Sequence, residues 1–529
     1  MDAEKGGMWL DILEVSQKQA YIFTSNALRT NVERSSQIAW MTDSGFFEKV
    51  IGDSSLYSEA ENFVYAGGGH TVLQFQSEEK AKKFNFRLTK EVHSLYPDAE
   101  LFAAIIEYKA DRSPAENLKS LKEKLEGKKA VRRASFRQGT FGVETLDSGT
   151  KDPVIIVEKG ADQARDSFRR AIEDGRKKLL AKADGMTIPK GYQQPFYFGD
   201  IGGEKGRANY IAVVHIDGNG MGSRVAEYYE EIGKGTWEQF REETRRFSEQ
   251  IDKDFKEAFL EMTKKVQEQL DKGTLTDLKL KPGMLPVRRI ITSGDDICFV
   301  TEGRIGIECA ASFLRSLAGK DDLLGNAYSA CAGVVIVHQK YPFFRAYELA
   351  EKLCSNAKKF GAKLSPGDNG RSVSSIDWHL ELGEIRDTVD EIRSSYRTKD
   401  GMQLEMRPYI VTAGDETLEK EPYRHYSKFI RLIKQYRGDG DKEIGGKLKE
   451  LRGVLKKGKA ATEHYVHIHK LEDLGLESYQ DIFAKIDYTK TPDGVGLERK
   501  MFLKTSDDVE RSILFDTAEI TDAFIPFEE

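Results

Sequence analysis

Apolar and polar positions alternate along Leu10-Asp11-Ile12-Leu13-Glu14-Val15, the pattern of a half-buried strand. A helical stretch follows around Ser35–Val50. Phe63–Ala66 and His70–Phe75 are two β-rich runs separated by Gly67, Gly68 and Gly69, which predicts a hairpin. Glu78–Tyr96 has helical spacing, and Leu101–Tyr108 closes the segment as an apolar strand. The order is βαββαβ, a ferredoxin-like plan.

The same order recurs over residues 208–362. Tyr210–Ile216 is an almost unbroken apolar run, as a central strand requires. A long helix follows, with Phe240, Phe247, Ile251, Phe255, Phe259, Met262, Val266 and Leu270 at helical spacings. Val287–Thr292 and Ile297–Val300 flank the turn Ser293-Gly294-Asp295-Asp296. Glu302–Leu317 reads as a helix, Tyr328–His338 as a buried strand, and Phe343–Phe360 as a closing amphipathic helix. The repeat is one of pattern, not of residue identity.

Between the two units lies a charged connector with a basic stretch at Asn117–Arg133, a charged helix at Gln163–Ala183, and a loop rich in glycine and aromatics at Gly191–Arg207. Beyond about residue 370 the chain reads as mainly helical, with candidate helices at Ile385–Tyr396, Tyr423–Tyr436 and Gly445–Tyr465 that suggest a small bundle. The expected fold class is therefore α+β: a first βαββαβ unit over 1–115, a partly helical connector over 116–207, a second unit over 208–370, and a helical region over 371–529.

A chain of 529 residues exceeds one hydrophobic core, in keeping with that division. With 39% hydrophobic and 32% charged residues it has a globular composition. No stretch approaches the roughly 18 apolar residues of a membrane span, and the N-terminus lacks the pattern of a signal peptide, so the expected compartment is the cytoplasm, with no membrane partner. A net charge of −6 argues against a globally basic nucleic-acid binder. Lys128, Lys129, Arg132 and Arg133 form a local basic cluster, which reads more readily as a solvated face than as an RNA contact. Cys298, Cys309, Cys331 and Cys354 form no CxxC pair and lie in apolar runs, as buried thiols do.

The chemistry concentrates in Asp217-Gly218-Asn219-Gly220-Met221-Gly222 and Ser293-Gly294-Asp295-Asp296. In a βαββαβ sheet the first and third strands are neighbours. Asp217 ends the first strand, and Asp295 and Asp296 occupy the turn before the third, so three carboxylates are expected at one sheet edge. Carboxylates that close raise one another's pKa unless a cation neutralises them. Mg2+ (or Mn2+) fits, being an oxygen-seeking ion that leaves positions open for phosphates; two such ions serve in-line phosphoryl transfer. Gly218, Gly220 and Gly222 let backbone N–H groups approach a triphosphate, and Gly294 tightens the turn. Taken singly, SGDD is an ordinary hairpin turn and DGNGMG an ordinary glycine loop; their placement at matching strand ends favours the chemical reading.

These two motifs resemble the D-G-D-x-M-G segment and the G-G-D-D hairpin of the large polymerase-cyclase subunit of type III CRISPR effector complexes. The segment Gln17–Ser36 and the helix ending Asn356-Ala357-Lys358-Lys359 are similar to the family's first palm and closing palm helix. The likeness spans most of the chain, as palm, linker, palm and helical tail, and GGDEF-type cyclases share the palm. It implies that Asp217, Asp295 and Asp296 are catalytic metal ligands, joined by the Gly218 carbonyl, and that Lys358 or Lys359 meets the triphosphate. It further implies synthesis of cyclic oligonucleotides from NTPs, ATP foremost, as second messengers in antiviral defence. Asn219 stands where the family has a second aspartate, which implies a weaker metal site, and Ser293 replaces the first hairpin glycine, where it would narrow the base pocket or hydrogen-bond to a base; both are expected to border the nucleotide. The absence of a nuclease domain before residue 8 and of zinc cysteines implies a stand-alone relative.

The first palm reads as degenerate: its hairpin is Gly67-Gly68-Gly69-His70, with no carboxylate, and Asp11 is not at a strand end. It is left to bind a nucleotide or to complete the second palm's pocket. His70 reads as a turn residue, His215 and His338 as structural histidines, and Trp378-His379 as packing. Two functions compete. One is a metal-dependent nucleotidyltransferase acting on NTPs, with a homodimer among its expected states. The other is a non-catalytic nucleotide sensor, or a scaffold for an RNA or effector complex.

Overall fold

The computed structural model describes residues 7–131, 163–203, 209–381, 388–438, 442–469 and 502–528. The expected α+β class, with two palm units, a helical linker and a largely helical C-terminal part, is the observed one.

The first palm runs β1 (Trp9–Ser16), α1 (Lys18–Ile22), α2 (Leu28–Met41), α3 (Ser44–Ile51), α4 (Glu59–Asn62), β2 (Phe63–Gly67), β3 (His70–Phe75), α5 (Glu78–Leu95) and β4 (Glu100–Glu107). Its sheet order is β2-β3-β1-β4, antiparallel across β1. Alternation along β1 divides the side chains between two cores. Leu13 and Val15 join Phe46, Phe47, Phe84 and Leu88 on the helical face, whereas Leu10 and Ile12 face the opposite side. The β2–β3 turn uses Gly68 and Gly69 at φ of 57° and 76°, a conformation open to glycine at little cost.

The segment read as a connector is partly built into this palm. Helix α6 (Pro114–Ala130) begins with a capping box, in which Ser113 and Glu116 satisfy each other's backbone N–H groups. It lays Leu118, Leu121 and Leu125 against Leu10 and Ile12. Lys128 and Lys129 are occupied here. Lys128 donates to the Ala103 carbonyl at 2.6 Å, and Lys129 pairs with Glu14 and Glu126; Arg132 and Arg133 lie outside the described residues. Helix α7 (Gln163–Gly185) packs on α2 and α3, where Gly175 lets Trp40 approach; a Cβ there would stand 2.4 Å from the indole.

The second palm runs β5 (Tyr210–Gly218), α8 (Met221–Ile232), α9 (Trp237–Asp271), β6 (Val287–Ser293), β7 (Asp296–Glu302), α10 (Gly306–Ala318), β8 (Ala330–His338) and α11 (Phe343–Leu364). Its strands lie in the order β8-β5-β7-β6, so β5 has β7 and β8 as neighbours. Helices α9 and α10 cover one face, through contacts such as Phe259 with Phe299 and Gly306 with Ala212. Helix α11 covers the other, with Tyr347 edge-on to His215. Gly333 on β8 brings α11 close: an added Cβ would lie 1.9 Å from the Ala350 carbonyl oxygen.

This sheet does not stop at residue 370. β9 (Ser374–Leu380) pairs parallel to β8, and β10 (Tyr409–Thr412) pairs antiparallel to β9, giving six strands. Trp378 is fully buried and stacks on Tyr409 at 5.3 Å. The remaining elements are α12 (Val389–Ser394), α13 (Asp415–Lys420), α14 (Tyr426–Gly438), α15 (Lys442–Leu455), α16 (Lys459–Ile468), a short ribbon of β11 (Phe502–Lys504) and β12 (Glu510–Ser512), and α17 (Phe515–Ile520). The single helix expected over Gly445–Tyr465 is two, broken at Gly458, whose φ of 99° no helix accepts. Fully buried Arg407 ties this region to α17 through Asp516 at 3.2 Å and Glu519 at 2.6 Å.

The palms are held together by α9. Arg241 and Arg245 donate to the Phe63 carbonyl at the outer edge of β2, and Arg245 also reaches Val64. Ser248 donates to the Ala66 carbonyl at 2.8 Å, and the Trp237 indole donates to Gln74.

Candidate functional site at the seam of the two palms

The register of palm 2 sets the site. Asp217 and Asp296 are direct cross-strand partners on β5 and β7, so their side chains leave the sheet on one face, the face covered by α11. Asp295 occupies the two-residue turn between Ser293 and Asp296. Gly294 precedes it at φ of 65°, the conformation the first central residue of a type II′ turn needs. Gly218 makes room: a Cβ there would meet that of Asp295 at 2.9 Å. Asp217, Asp295 and Asp296 thus converge.

Burial first, and then the charge of Asp217, pushes the Asp295 carboxyl up to about 6. The same order of causes, with Asp295 added, pushes Asp296 up to about 7, while Lys18 of palm 1 eases the charge. Asp296 lines a cavity, so 37% of its side-chain surface faces open space although protein surrounds it closely. Its Oδ1 finds no hydrogen-bond partner among the described residues. His215 lies on the same face, 3.6 Å from that oxygen. Burial holds its pKa down at about 4, so it is neutral and makes no ion pair there.

Lys358 supplies the local positive charge. Its ammonium donates to Asp217 Oδ2 at 2.6 Å and to the Gly218 carbonyl at 2.8 Å. Burial would lower its pKa, but the Asp217 charge and hydrogen bond outweigh burial and raise it. Lys358 therefore bridges two of the oxygen donors that the resemblance assigned to a metal. Lys359, one residue on, is exposed.

Not every residue of the glycine loop faces the acids. Asn219 is corrected: its buried amide donates to Ser329 Oγ at 2.9 Å and to the Val373 carbonyl at 2.8 Å, turned toward β8 and the chain entering β9. An aspartate would lose both donors. Gly220 takes φ of 63° and caps α8 beside Arg371, and Gly222 has open space where a side chain would be.

Palm 1 completes the site. A cavity of about 420 Å³ lies between the palms, reached by Asp295 and Asp296 from one side and by Lys18, Gly68 and Gly69 from the other. Lys18 donates to the Gly68 carbonyl, which ties the degenerate hairpin to the start of α1. Glu351 on α11 accepts from Gln19 of palm 1 at 3.4 Å, and its pKa is raised, by burial first and then by Glu348 and Asp217. Lys18, Glu351 and Tyr347 were not identified from sequence. Position seven before Lys358 on one helix face was the available signal for Glu351; nothing local marks Lys18. His70, read as a turn residue, is the first residue of β3, just past the Gly68-Gly69 turn, and its ring lies 3.3 Å from the Tyr65 hydroxyl.

The donor types suit a hard cation: three carboxylates, of which Asp296 has an unpartnered oxygen, and a backbone carbonyl. Among the described residues, however, no group of three or more His, Cys, Asp or Glu side chains is placed so that it could hold a metal ion as it stands. The four cysteines are buried and free. No described helix is long and apolar enough to cross a membrane.

Residues 210–365 match the family model of the Cas10/Cmr2 second palm domain. Palm 2 is similar to the Cas10/Cmr2 second palm domain. The resemblance to the type III CRISPR polymerase-cyclase subunit, drawn above from two short motifs, is borne out. Solved structures are similar in fold over nearly the whole chain. A Csm1–Csm4 cassette in complex with cA4 has a TM-score of 0.51 at 14% identity, over 99% of this chain and 70% of that one. The cassette in complex with pppApA gives 0.52 at 15% identity, over the same shares. Csm1 of T. onnurineus gives 0.50 at 16% identity, over 98% and 69%. At such identities the likeness is one of fold. No curated protein matches the chain.

Proposed function

We propose that this chain is a nucleotidyltransferase that joins NTPs, ATP foremost, into a cyclic oligonucleotide second messenger for antiviral defence. The observation that carries the reading is the convergence of Asp217, Asp295 and Asp296, the last two lining an inter-palm cavity, with one lysine from each palm nearby. The similar cassettes bound to cA4 and to pppApA give it support.

Asp217, Asp295, Asp296 and the Gly218 carbonyl would hold Mg2+ or Mn2+. When bound, such an ion supplies positive charge to the attacking and leaving oxygens of an in-line displacement. The chain's own groups do the rest. Lys358 and Lys18 meet phosphate charge from opposite palms. Backbone N–H groups at the start of α8, opened by Gly220 and Gly222, face anionic oxygens with the positive end of the helix dipole. The raised pKa values of Asp295 and Asp296 mark carboxylates poised to take a cation or a proton. The cavity walls hold the reacting nucleotides out of bulk water.

The test is incubation of the purified chain with labelled ATP, GTP, CTP or UTP and either ion, with products read by mass spectrometry. Cyclic or linear oligonucleotides and pyrophosphate are expected. The double variant Asp295→Asn/Asp296→Asn is expected to give none while keeping its circular dichroism spectrum. Tight ATP binding with no pyrophosphate under either ion would instead select the non-catalytic sensor or scaffold.

A further inference from the structure

The cavity at the seam has a wall that neither palm supplies. Helix α7, from the segment between the palms, turns Leu179, Leu180 and Ala183 into it. Opposite stand Val32, Ser35 and Ala39 of α2, spaced three and four apart and so on one helix face. Ile290 and Ile291 of β6 lie along its length. Asp295, Asp296 and Lys18 stand at one end, the Asp184-paired Arg289 lines the other, and the middle is apolar. At about 3.3 Å per strand residue, the four steps from Arg289 to Ser293 carry it roughly 13 Å from the acidic turn. A nucleotide has that same division, with phosphates at one end and a flat apolar-faced base at the other.

Helix α7 is a fixed wall, not a flap. Asp184 accepts from Arg288 at 3.1 Å and from Arg289 at 2.7 Å, which pins α7 to β6. Arg176 donates to Ser36 Oγ, and Gly175 seats against Trp40, which pin it to α2. Leu179 and Leu180 remain only partly buried, their open surface turned to the cavity. The cavity is open and ends on two carboxylates.

We infer that α7 is the wall against which the base of one bound nucleotide lies, so that the linker helix takes part in choosing the base. The inference rests on the reading of the acidic edge as a nucleotidyl-transfer site. Ser35 brings a hydroxyl to the facing wall, where it can serve a base edge as donor or acceptor.

The experiment uses the full chain and binding, not turnover. Irradiation with 8-azido-ATP and peptide mapping is expected to place the label on residues 163–185. Ala183→Phe, which fills the space, is expected to weaken ATP binding by about 10-fold or more while inorganic tripolyphosphate binds as before. Leu180→Ala, which enlarges it, is expected to narrow the difference in affinity between ATP and CTP, and serves if the first variant does not fold. A label confined to the palms, together with unchanged ATP affinity in both variants, overturns the role of α7 and leaves the site reading intact. No ATP binding by the wild type, or binding indifferent to Asp295→Asn/Asp296→Asn and to Lys358→Met, overturns both.

Discussion

Asp11 lies in the middle of β1 with no exposed surface, and neither carboxylate oxygen finds a hydrogen-bond partner among the described residues. Burial raises its pKa from 3.8 to about 7, with Asn85 and Lys128 only easing the charge. Between those values the folded chain binds a proton that the unfolded chain lacks, so stability falls as pH rises from about 4 to about 7 and stays low above that. Asp11→Asn keeps the shape and removes the charge. It is expected to raise unfolding free energy at pH 8 by up to about 4 kcal/mol and to change little at pH 4.5, as urea titrations at the two values would read. Lys358 has the opposite character, a half-buried charge with partners. Lys358→Met is expected to lower turnover by roughly 10²–10³-fold, on the scale of losing one charged donor from an active site. Triphosphate affinity should fall and nucleoside affinity hold, measured by equilibrium binding.

At the scale of elements, the closest packing is α11 on β8. Gly333→Ala forces that helix off the strand, at an expected cost of about 3 kcal/mol, and should shift Lys358 away from Asp217, seen as lost nucleotide affinity beside the lower melting temperature. The sequence disclosed what local pattern controls. The apolar run of β5, the glycine hairpin of palm 1 and the long apolar stripe of α9 all have a period that tertiary contacts only confirm. β9 was missed in a region read as mainly helical, because its polar residues Ser375, Asp377 and His379 hide the apolar run of a buried strand. Once buried they are satisfied by Cys331, Asn356 and Arg393 from other elements and by Glu381 just past the strand. Asn219 was misplaced for a related reason, since a side chain in a glycine loop gives no sign of which way it turns. Lys18 and Glu351 came from the docking of one palm on the other, which no single strand or helix encodes.

For the whole molecule, α9 decides how the palms meet. Arg241→Ala/Arg245→Ala removes the donors to β2 and is expected to speed hydrogen exchange across Phe63–Gly67. Because that strand leads to Gly68 and Gly69 in the cavity, KM for nucleotide should rise several-fold with little change in kcat. The palm 1 sheet is sealed at its other rim too, where Lys124 and Lys128 of α6 donate to the carbonyls of Ile105 and Ala103 on β4. An uncapped sheet rim recruits further strands, its own copies included. Palm 1 excised without α6 and α9 therefore has two adhesive borders, and should precipitate as strand-paired oligomers where the intact chain stays dispersed.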